Sequence, residues 1–148
     1  MKKRLILILN GKGGVGKSFF AVNFIQYLKD RQISHAAFDS DDENSTLKRF
    51  HSEVGFINAN HPPDIDRMVD ALLESDVVVV DCRAASTRIF LNYFDETEMP
   101  TVFEGINAGL SCWNELTSRS KASPAVPEPQ SYTMRRGSLL GLQWISPE

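Results

Sequence analysis

The chain has 148 residues, of which 42% are hydrophobic and 24% are charged, and its net charge is −3. This length is typical of one globular domain, and the charge balance gives no reason to expect a nucleic acid or an anionic membrane as the main partner. No apolar run reaches the length of a membrane span, so we expect a cytoplasmic protein. The two cysteines, Cys82 and Cys112, form no CxxC pair and are interpreted as reduced thiols.

The first third of the chain predicts two strands separated by a helix. Residues 5–9 form a continuous apolar run, which is typical of a parallel strand that is buried on both faces. Apolar residues at helical spacing then predict a helix over about residues 17–31. A short strand at residues 35–38 ends at Asp39, and the polar residues 39–46 are predicted to form a loop.

The middle of the chain repeats this alternation. Residues 53–58 are a candidate third strand. Two prolines introduce a predicted helix over residues 64–74, whose apolar side chains fall on one face. Residues 77–80 are four consecutive valines, which predict a buried strand that ends at Asp81.

The last predicted elements complete the pattern. The spacing of apolar residues predicts a helix over residues 89–94, a strand over residues 100–103 and one more helix along Ile106, Leu110 and Trp113. Strands that alternate with helices predict a three-layer α/β fold with a mostly parallel sheet flanked by helices. Ligands of such folds bind beyond the carboxyl ends of the strands.

A glycine-rich segment between the first predicted strand and the first helix matches the phosphate-binding pattern G-x-x-x-x-G-K-[ST]. Its glycines let backbone amides approach phosphate oxygens, and the amino end of the next helix attracts the anion. In this pattern Lys17 reaches the β- and γ-phosphates of ATP, and the Ser18 hydroxyl binds Mg²⁺. We therefore expect nucleotide contacts from Gly11, Lys12, Gly13, Gly14, Val15, Gly16, Lys17, Ser18 and Phe19.

Position 12 carries a lysine that a generic phosphate loop does not need. The string Lys-Gly-Gly-Val-Gly-Lys-Ser resembles the deviant Walker A loop of the ParA/MinD superfamily of ATPases. This resemblance implies a homodimer that forms on ATP binding, in which Lys12 acts in trans on the phosphates of the partner, as an arginine finger does. The alternative is that Lys12 is a solvated loop lysine.

Two acidic positions extend the resemblance. The family has an Asp-x-Asp pair after its second strand, which corresponds here to Asp39 and Asp41. The resemblance implies that Asp41 orients the attacking water and hydrated Mg²⁺; the alternative is an acidic surface turn. Asp81 fits the family aspartate that holds Mg²⁺ through water. The implied catalytic residues are Lys12, Lys17 and Asp41, and the implied metal-binding residues are Ser18, Asp41 and Asp81.

Within this superfamily, residues 38–47 resemble the corresponding segment of plasmid conjugal-transfer ATPases of the TraL kind, and the likeness covers about residues 4–95. It implies a role in DNA transfer or partition, with DNA or a protein of that system as partner. We thus predict a slow Mg²⁺-dependent ATPase. The alternatives are a non-hydrolysing nucleotide-gated interaction module, a truncated remnant and a P-loop kinase or ligase.

The chain departs from the family pattern at three places. Asp42 replaces the proline that follows the Asp-x-Asp pair, and residues 82–85 replace a segment that usually contains proline or glycine and moves with the nucleotide. Family members are also longer, and the likeness fades after Phe103.

We divide the chain into a nucleotide-binding domain at residues 1–117, which is incomplete relative to the family, and a proline-rich linker with a flexible tail at residues 118–148. Residues 134–145 are basic and then apolar, as in relatives of the MinD type that bind membranes through a terminal amphipathic helix. Two glycines weaken such a helix, so an unstructured tail or a segment packed on the sheet edge is the favoured interpretation.

Overall fold

The computed structural model describes residues 2–9, 16–42, 46–84, 86–113 and 131–132, in which strands and helices alternate. The strands are β1 (Lys3–Ile8), β2 (His35–Asp39), β3 (Gly55–Phe56), β4 (Val77–Asp81), β5 (Ala108–Trp113) and β6 (Ser131–Tyr132). The helices are α1 (Lys17–Asp30), α2 (Thr46–Phe50), α3 (Pro62–Glu74), α4 (Thr87–Glu96) and α5 (Met99–Gly105).

The strands form one sheet in the order β3-β2-β4-β1-β5-β6. All neighbouring pairs from β3 to β5 are parallel, and β6 runs antiparallel to β5. Helices α1 and α2 pack against one face of the sheet, and α3, α4 and α5 pack against the other. The predicted three-layer α/β fold with a mostly parallel sheet is therefore confirmed.

Successive residues of β1 face opposite helical layers, so the strand belongs to two hydrophobic cores. Leu5 and Leu7 pack in the core that contains α3, α4 and α5, whereas Ile6 and Ile8 pack in the core that contains α1 and α2. The four valines of β4 are divided in the same way, and all of them are buried. Because helices cover both faces of β1 and β4, polar and apolar residues do not alternate along these strands, and their sequences are continuous apolar runs.

Helix α1 matches its prediction and is joined to the end of β5 by stacked aromatic rings. Ala21, Ile25 and Leu28 form its buried stripe. Next to this stripe, the Phe20 ring stacks on the Trp113 ring with a centroid separation of 4.6 Å and an interplanar angle of 8°. This contact fixes the first turn of α1 against the carboxyl end of β5.

Helix α3 also matches its prediction. Its two prolines occupy the first turn, where a missing amide hydrogen breaks no helical bond. Ile65, Met68 and Leu72 face the core, while the neighbouring Leu73 is 58% exposed. The single apolar face is what made this helix predictable from the sequence.

Two predicted elements near the end of the domain are wrong. Residues 100–103 lie in helix α5, because Pro100 stands in a first helical turn and Phe103 fills the core from that helix. The predicted helix along Ile106, Leu110 and Trp113 is instead strand β5, and Ile106 caps the end of α5. Their helical spacing is a coincidence: the turn at Asn107, with φ of 50°, separates Ile106 from β5, and Leu110 and Trp113 lie on opposite faces of that strand.

Smaller differences concern the segments around β2 and β3. The predicted loop at residues 39–46 ends at Thr46, where α2 begins, and the candidate third strand is confirmed only as the two-residue β3. Apart from β6, the predicted linker and tail at residues 118–148 lie outside the described residues. In the described ranges, none of the helices is both long enough and apolar enough to cross a membrane. Cys82 and Cys112 are free thiols.

Candidate nucleotide-binding site

The carboxyl ends of the central strands stop at one level and bring two carboxylates together. In the register of the sheet, Asp81 lies beside Asp39 on one side and beside Ile8 on the other, and Ile8 lies beside Trp113. Asp39 and Asp81 are only 4% and 5% exposed. Two buried acids at the carboxyl edge of a parallel sheet occupy the position where ligands of this fold class bind.

Helix α1 begins at the same edge with a backbone that requires glycine. Gly16 precedes the helix and has φ of 88°, in the left-handed region that side chains with a Cβ rarely adopt. The next residue, Lys17, is 9% exposed although it carries an ammonium group. In the predicted Gly-Lys-Ser sequence, Gly16 therefore adopts a left-handed conformation, and Lys17 and Ser18 begin α1 with the lysine side chain buried.

Ser18 and Asp81 connect this helix start to β4. The Ser18 hydroxyl donates a hydrogen bond to the Asp81 carboxylate. Burial is the main cause that raises the pKa of Asp81 to about 6, and repulsion from Asp39 and Asp41 acts in the same direction. The Ser18 bond and the charge of Lys17 oppose this rise. Among the described residues of the site, two buried carboxylates, Asp39 and Asp81, face one buried ammonium, Lys17, and this arrangement favours an added cation.

Asp39 shows the same imbalance at the level of single atoms. Its Oδ1 atom accepts the backbone amide of Asp41 at 2.9 Å, whereas its Oδ2 atom is buried and has no hydrogen-bond partner within the described ranges. Burial raises the pKa of Asp39, and the backbone amides of Asp41 and Leu47 lower it. A buried acceptor oxygen beside Asp81 is suited to a donor that arrives with the ligand, such as metal-bound water.

These residues fit a Mg²⁺ ion that is shared with nucleotide phosphates. Mg²⁺ keeps several waters and takes few protein ligands, which suits one serine hydroxyl with carboxylates placed behind it. Across the described residues, no group of three or more histidine, cysteine, aspartate and glutamate side chains is arranged to hold a metal ion by itself. The phosphates would therefore have to complete the coordination.

Asp42 and Arg83, which depart from the family pattern, pair with each other. An Arg83 Nη1 atom lies 3.4 Å from Asp42 Oδ1, and the two side chains are 52% and 63% exposed. The added charge of Asp42 is thus directed to the protein surface and away from the buried acids.

The structure places only part of the predicted site. It brings together Lys17, Ser18, Asp41 and Asp81, whose charges and hydrogen bonds act on one another. Phe19 lies in the first turn of α1 with its side chain 76% exposed. The remaining predicted contact residues lie outside the described residues, so their roles stay predictions: Gly11, Lys12, Gly13, Gly14 and Val15.

Two residues of the site were missed by sequence reasoning. The sequence identifies Asp39 as the first member of the Asp-x-Asp pair but predicts no role for it in the site, whereas in the structure its charge acts on Asp81. Ser40 is buried and bonded to the segment after β4. The available signal was that both Asp39 and Asp81 end an apolar strand, which places them at one level if the strands are neighbours. The sequence alone does not give that neighbour relation.

The parallel sheet, the glycine turn before α1 and the paired Ser18 and Asp81 define a P-loop nucleotide-binding domain. Residues 6–123 match the family described as CbiA, the CobQ/CobB/MinD/ParA nucleotide binding domain. This match covers most of the chain, which therefore belongs to that family.

Known relatives agree with the predicted resemblance. Two Escherichia coli proteins, each named Protein TraL, are 30% and 29% identical to this chain over 108 residues, which is 68% of this chain and 45% of each relative. The chain thus spans less than half the length of these relatives. The signal recognition particle 54 kDa protein of Aeropyrum pernix K1, solved in complex with GDP, is 18% identical with a TM-score of 0.45, over 74% of this chain and 29% of that chain.

Proposed function

We propose that this chain binds ATP together with Mg²⁺, dimerises around the nucleotide and hydrolyses it slowly. The observation that carries the proposal is the hydrogen bond between Ser18 and Asp81 beside the buried Lys17. Lys17, at the start of α1, provides a positive charge for phosphate, and Asp81, at the end of β4, provides a negative charge for the metal. In a cluster that binds no ligand, the burial of these charged groups would lower the stability of the fold and serve no function.

Each residue has a distinct task in this proposal. Lys17 neutralises charge on the β- and γ-phosphates, and Ser18 supplies a hydroxyl ligand to the metal. Asp81 accepts hydrogen bonds from the Ser18 hydroxyl or from metal-bound water. Asp41 orients the attacking water. Bound Mg²⁺ supplies positive charge next to the phosphate oxygens when charge develops on them.

Dimerisation is supported by the family motif alone. Lys12 in the phosphate loop implies an active site that is completed by a second copy of the chain, because its charge would be used in trans. A monomer would then bind nucleotide but turn it over poorly.

The similarity to Protein TraL supports a role for this chain in a plasmid or mobile element, in conjugal DNA transfer or in partition. In that role the ATP cycle would time contacts with DNA or with a protein partner. The matched region is 45% of each relative, so partner-binding parts of those proteins have room to lie elsewhere.

A second candidate function is a nucleotide-gated interaction module that does not hydrolyse. The segment after β4 favours it, because this segment is held by hydrogen bonds to the chain on both sides: the Arg83 amide donates to Ser40 Oγ at 2.7 Å, and the Ser86 hydroxyl donates to the Arg83 carbonyl at 2.7 Å. A segment already held in place has less freedom to move with the γ-phosphate.

Calorimetry tests nucleotide binding. ATP, ADP and GTP are titrated with and without Mg²⁺ into the unaltered chain, Lys17→Ala and Lys2→Ala. Lys2 is an exposed lysine at the other end of β1 and serves as the matched control. We expect Mg²⁺-dependent ATP binding that is lost in Lys17→Ala and kept in Lys2→Ala. Absence of binding to a folded unaltered chain would refute the proposal.

Turnover and light scattering separate the two candidates. If the chain is a hydrolase, the unaltered protein releases phosphate from ATP, and the rate falls in Lys12→Ala and in Asp41→Ala. Light scattering should then still detect the ATP-bound dimer in Asp41→Ala. If the chain is a gated module, it binds ATP, but the unaltered chain, Lys12→Ala and Asp41→Ala all release no phosphate.

A further inference from the structure

Ser40 lies between the two aspartates of the Asp-x-Asp pair and is hydrogen-bonded both to the last residue of β4 and to the segment that follows β4. Its amide donates to the carbonyl oxygen of Asp81 at 3.0 Å, and its hydroxyl oxygen accepts the amide of Arg83 at 2.7 Å. The residue is 6% exposed. Ser40 thus joins two stretches of chain, the acidic segment (residues 39–42) and the β4 segment (residues 81–84).

The two bonds differ in what they require from the sequence. The amide bond extends the pairing of β2 and β4 by one step beyond Asp39 and Asp81, and any residue other than proline makes it. The bond from Arg83 ends on a side chain, so it needs a hydroxyl at position 40. Alanine at this position would remove that acceptor while leaving the backbone pairing in place.

The β4 segment is also held on its other side. The Arg83 carbonyl accepts the hydroxyl of Ser86, which immediately precedes α4 and is 2% exposed. The Ser40 hydroxyl therefore connects the acidic segment to the start of α4 through Arg83. Both hydrogen bonds are partly buried, and a partly buried donor or acceptor that loses its partner costs stability, which makes the connection specific.

The ion pair between Asp42 and Arg83 spans the same two segments at the surface. Its side chains are 63% and 52% exposed, and exposed pairs of this kind contribute little. The buried hydroxyl, and not the ion pair, is therefore the stronger link between the segments.

We propose that Ser40 is a positioning residue whose hydroxyl holds the acidic segment and the β4 segment as one unit, so that Asp41 and Asp81 keep one relative geometry. Its effect on catalysis rests on the proposed function. The link between the segments does not, since it consists of hydrogen bonds among the chain's own residues.

Hydrogen exchange followed by NMR tests the link without nucleotide. The compared chains are the unaltered protein, Ser40→Ala, Ser40→Thr and Ser34→Ala. Ser34 is an exposed serine just before β2 and gives the matched substitution away from the site. We expect the Arg83 amide to exchange about fivefold faster in Ser40→Ala, and at the unaltered rate in Ser40→Thr and Ser34→Ala. Unchanged exchange in Ser40→Ala would overturn the proposal.

Steady-state kinetics tests the positioning role. With saturating Mg²⁺, we expect kcat for ATP to fall about tenfold in Ser40→Ala, with KM changed less than about threefold and kcat recovered in Ser40→Thr. Affinity for ADP without Mg²⁺ should stay close to that of the unaltered chain, which shows that Lys17 and the loop are intact. Faster exchange with an unchanged kcat would reduce Ser40 to a structural residue and overturn the positioning role. A chain that binds no nucleotide contradicts the proposed function instead, and the exchange result still decides whether Ser40 joins the segments.

Discussion

Along β4, four buried valines are followed by Asp81, which is just as buried but carries a carboxylate. Burial of each valine stabilises the fold by roughly 1.5–3 kcal/mol, whereas burial raises the pKa of Asp81 to about 6 and disfavours its charged form. β2 changes in the same way from Phe38 to Asp39. We use the term sheet interior for the apolar residues of β1 and β4 together with the helices that pack on them. We use the term carboxyl edge for the level of the sheet at which Asp39 and Asp81 lie. The sheet interior stabilises the fold, whereas the burial of carboxylates at the carboxyl edge lowers its stability.

The largest expected effect is a loss of stability from the sheet interior. Leu72→Ala should lower the free energy of unfolding by about 2–5 kcal/mol, because a fully buried side chain leaves a cavity. Leu73→Ala, one residue away and 58% exposed, should change it by less than about 0.5 kcal/mol. Urea denaturation measures both. Equal losses in the two variants would contradict the packing of α3 described above.

At the carboxyl edge the sign should reverse. Because burial raises the pKa of Asp81 to about 6, the stability that its protonated form contributes is lost as the pH rises through that value. In EDTA, Asp81→Asn should therefore be more stable than the unaltered chain by about 2 kcal/mol near pH 7.5, and the gap should close below about pH 4.

The same variant should lose the part of its nucleotide affinity that depends on Mg²⁺. Asp70→Asn, at an exposed position of α3, is the control for both measurements. Destabilisation of Asp81→Asn at neutral pH would instead show that the Ser18 hydrogen bond stabilises the fold by more than the burial of the carboxylate costs.

A pair of glycines separates backbone strain from packing. A Cβ at Gly16 or at Gly105 would meet no atom of the described residues within 4 Å, but of these two glycines only Gly16 has a left-handed φ, at 88°. Gly16→Ala should therefore cost about 1 kcal/mol of stability, whereas Gly105→Ala should be neutral or slightly stabilising. Thermal unfolding followed by circular dichroism compares them, and equal behaviour would rule out strain at the start of α1.

The smallest expected effect is at the surface of the carboxyl edge. Asp42→Asn removes the ion pair with Arg83, whose partners are more than half exposed, and should change the free energy of unfolding by less than about 0.5 kcal/mol. The change should shrink further in about 1 M salt, because exposed charges are screened. A loss above about 1 kcal/mol in urea denaturation would mean that this pair supports the buried acids.

Much of the fold could be predicted because its central elements have strong local patterns. The valines of β4 and the apolar face of α3 each permit one interpretation. The error at residues 100–113 arose where the pattern was ambiguous: Thr101, Val102 and Phe103 suit a strand by composition, but packing of Phe103 and Met99 in the core favours a helix. Tertiary contacts decided this region, and they are not visible in a short window of sequence.

The candidate site was predictable to the extent that one motif carries it. Lys17 and Ser18 follow from the loop pattern, and Asp81 follows from its strand. No role in the site could be predicted for Asp39 or Ser40, because their roles depend on the register between β2 and β4, in which Asp39 stands beside Asp81. Register between strands that are distant in sequence is set by the folded sheet.

The stacking of Trp113 on Phe20 gives the molecule an optical reporter. The indole is 8% exposed and lies at the end of β5, against a ring three residues beyond Lys17. The chain has one other tryptophan, Trp144, so a Trp144→Phe variant would emit from Trp113 alone. A small shift of the first turn of α1 would change the overlap of the two rings and hence the emission intensity. Ligand titrations could then be read as a fluorescence change, without a label and with the phosphate loop left unaltered.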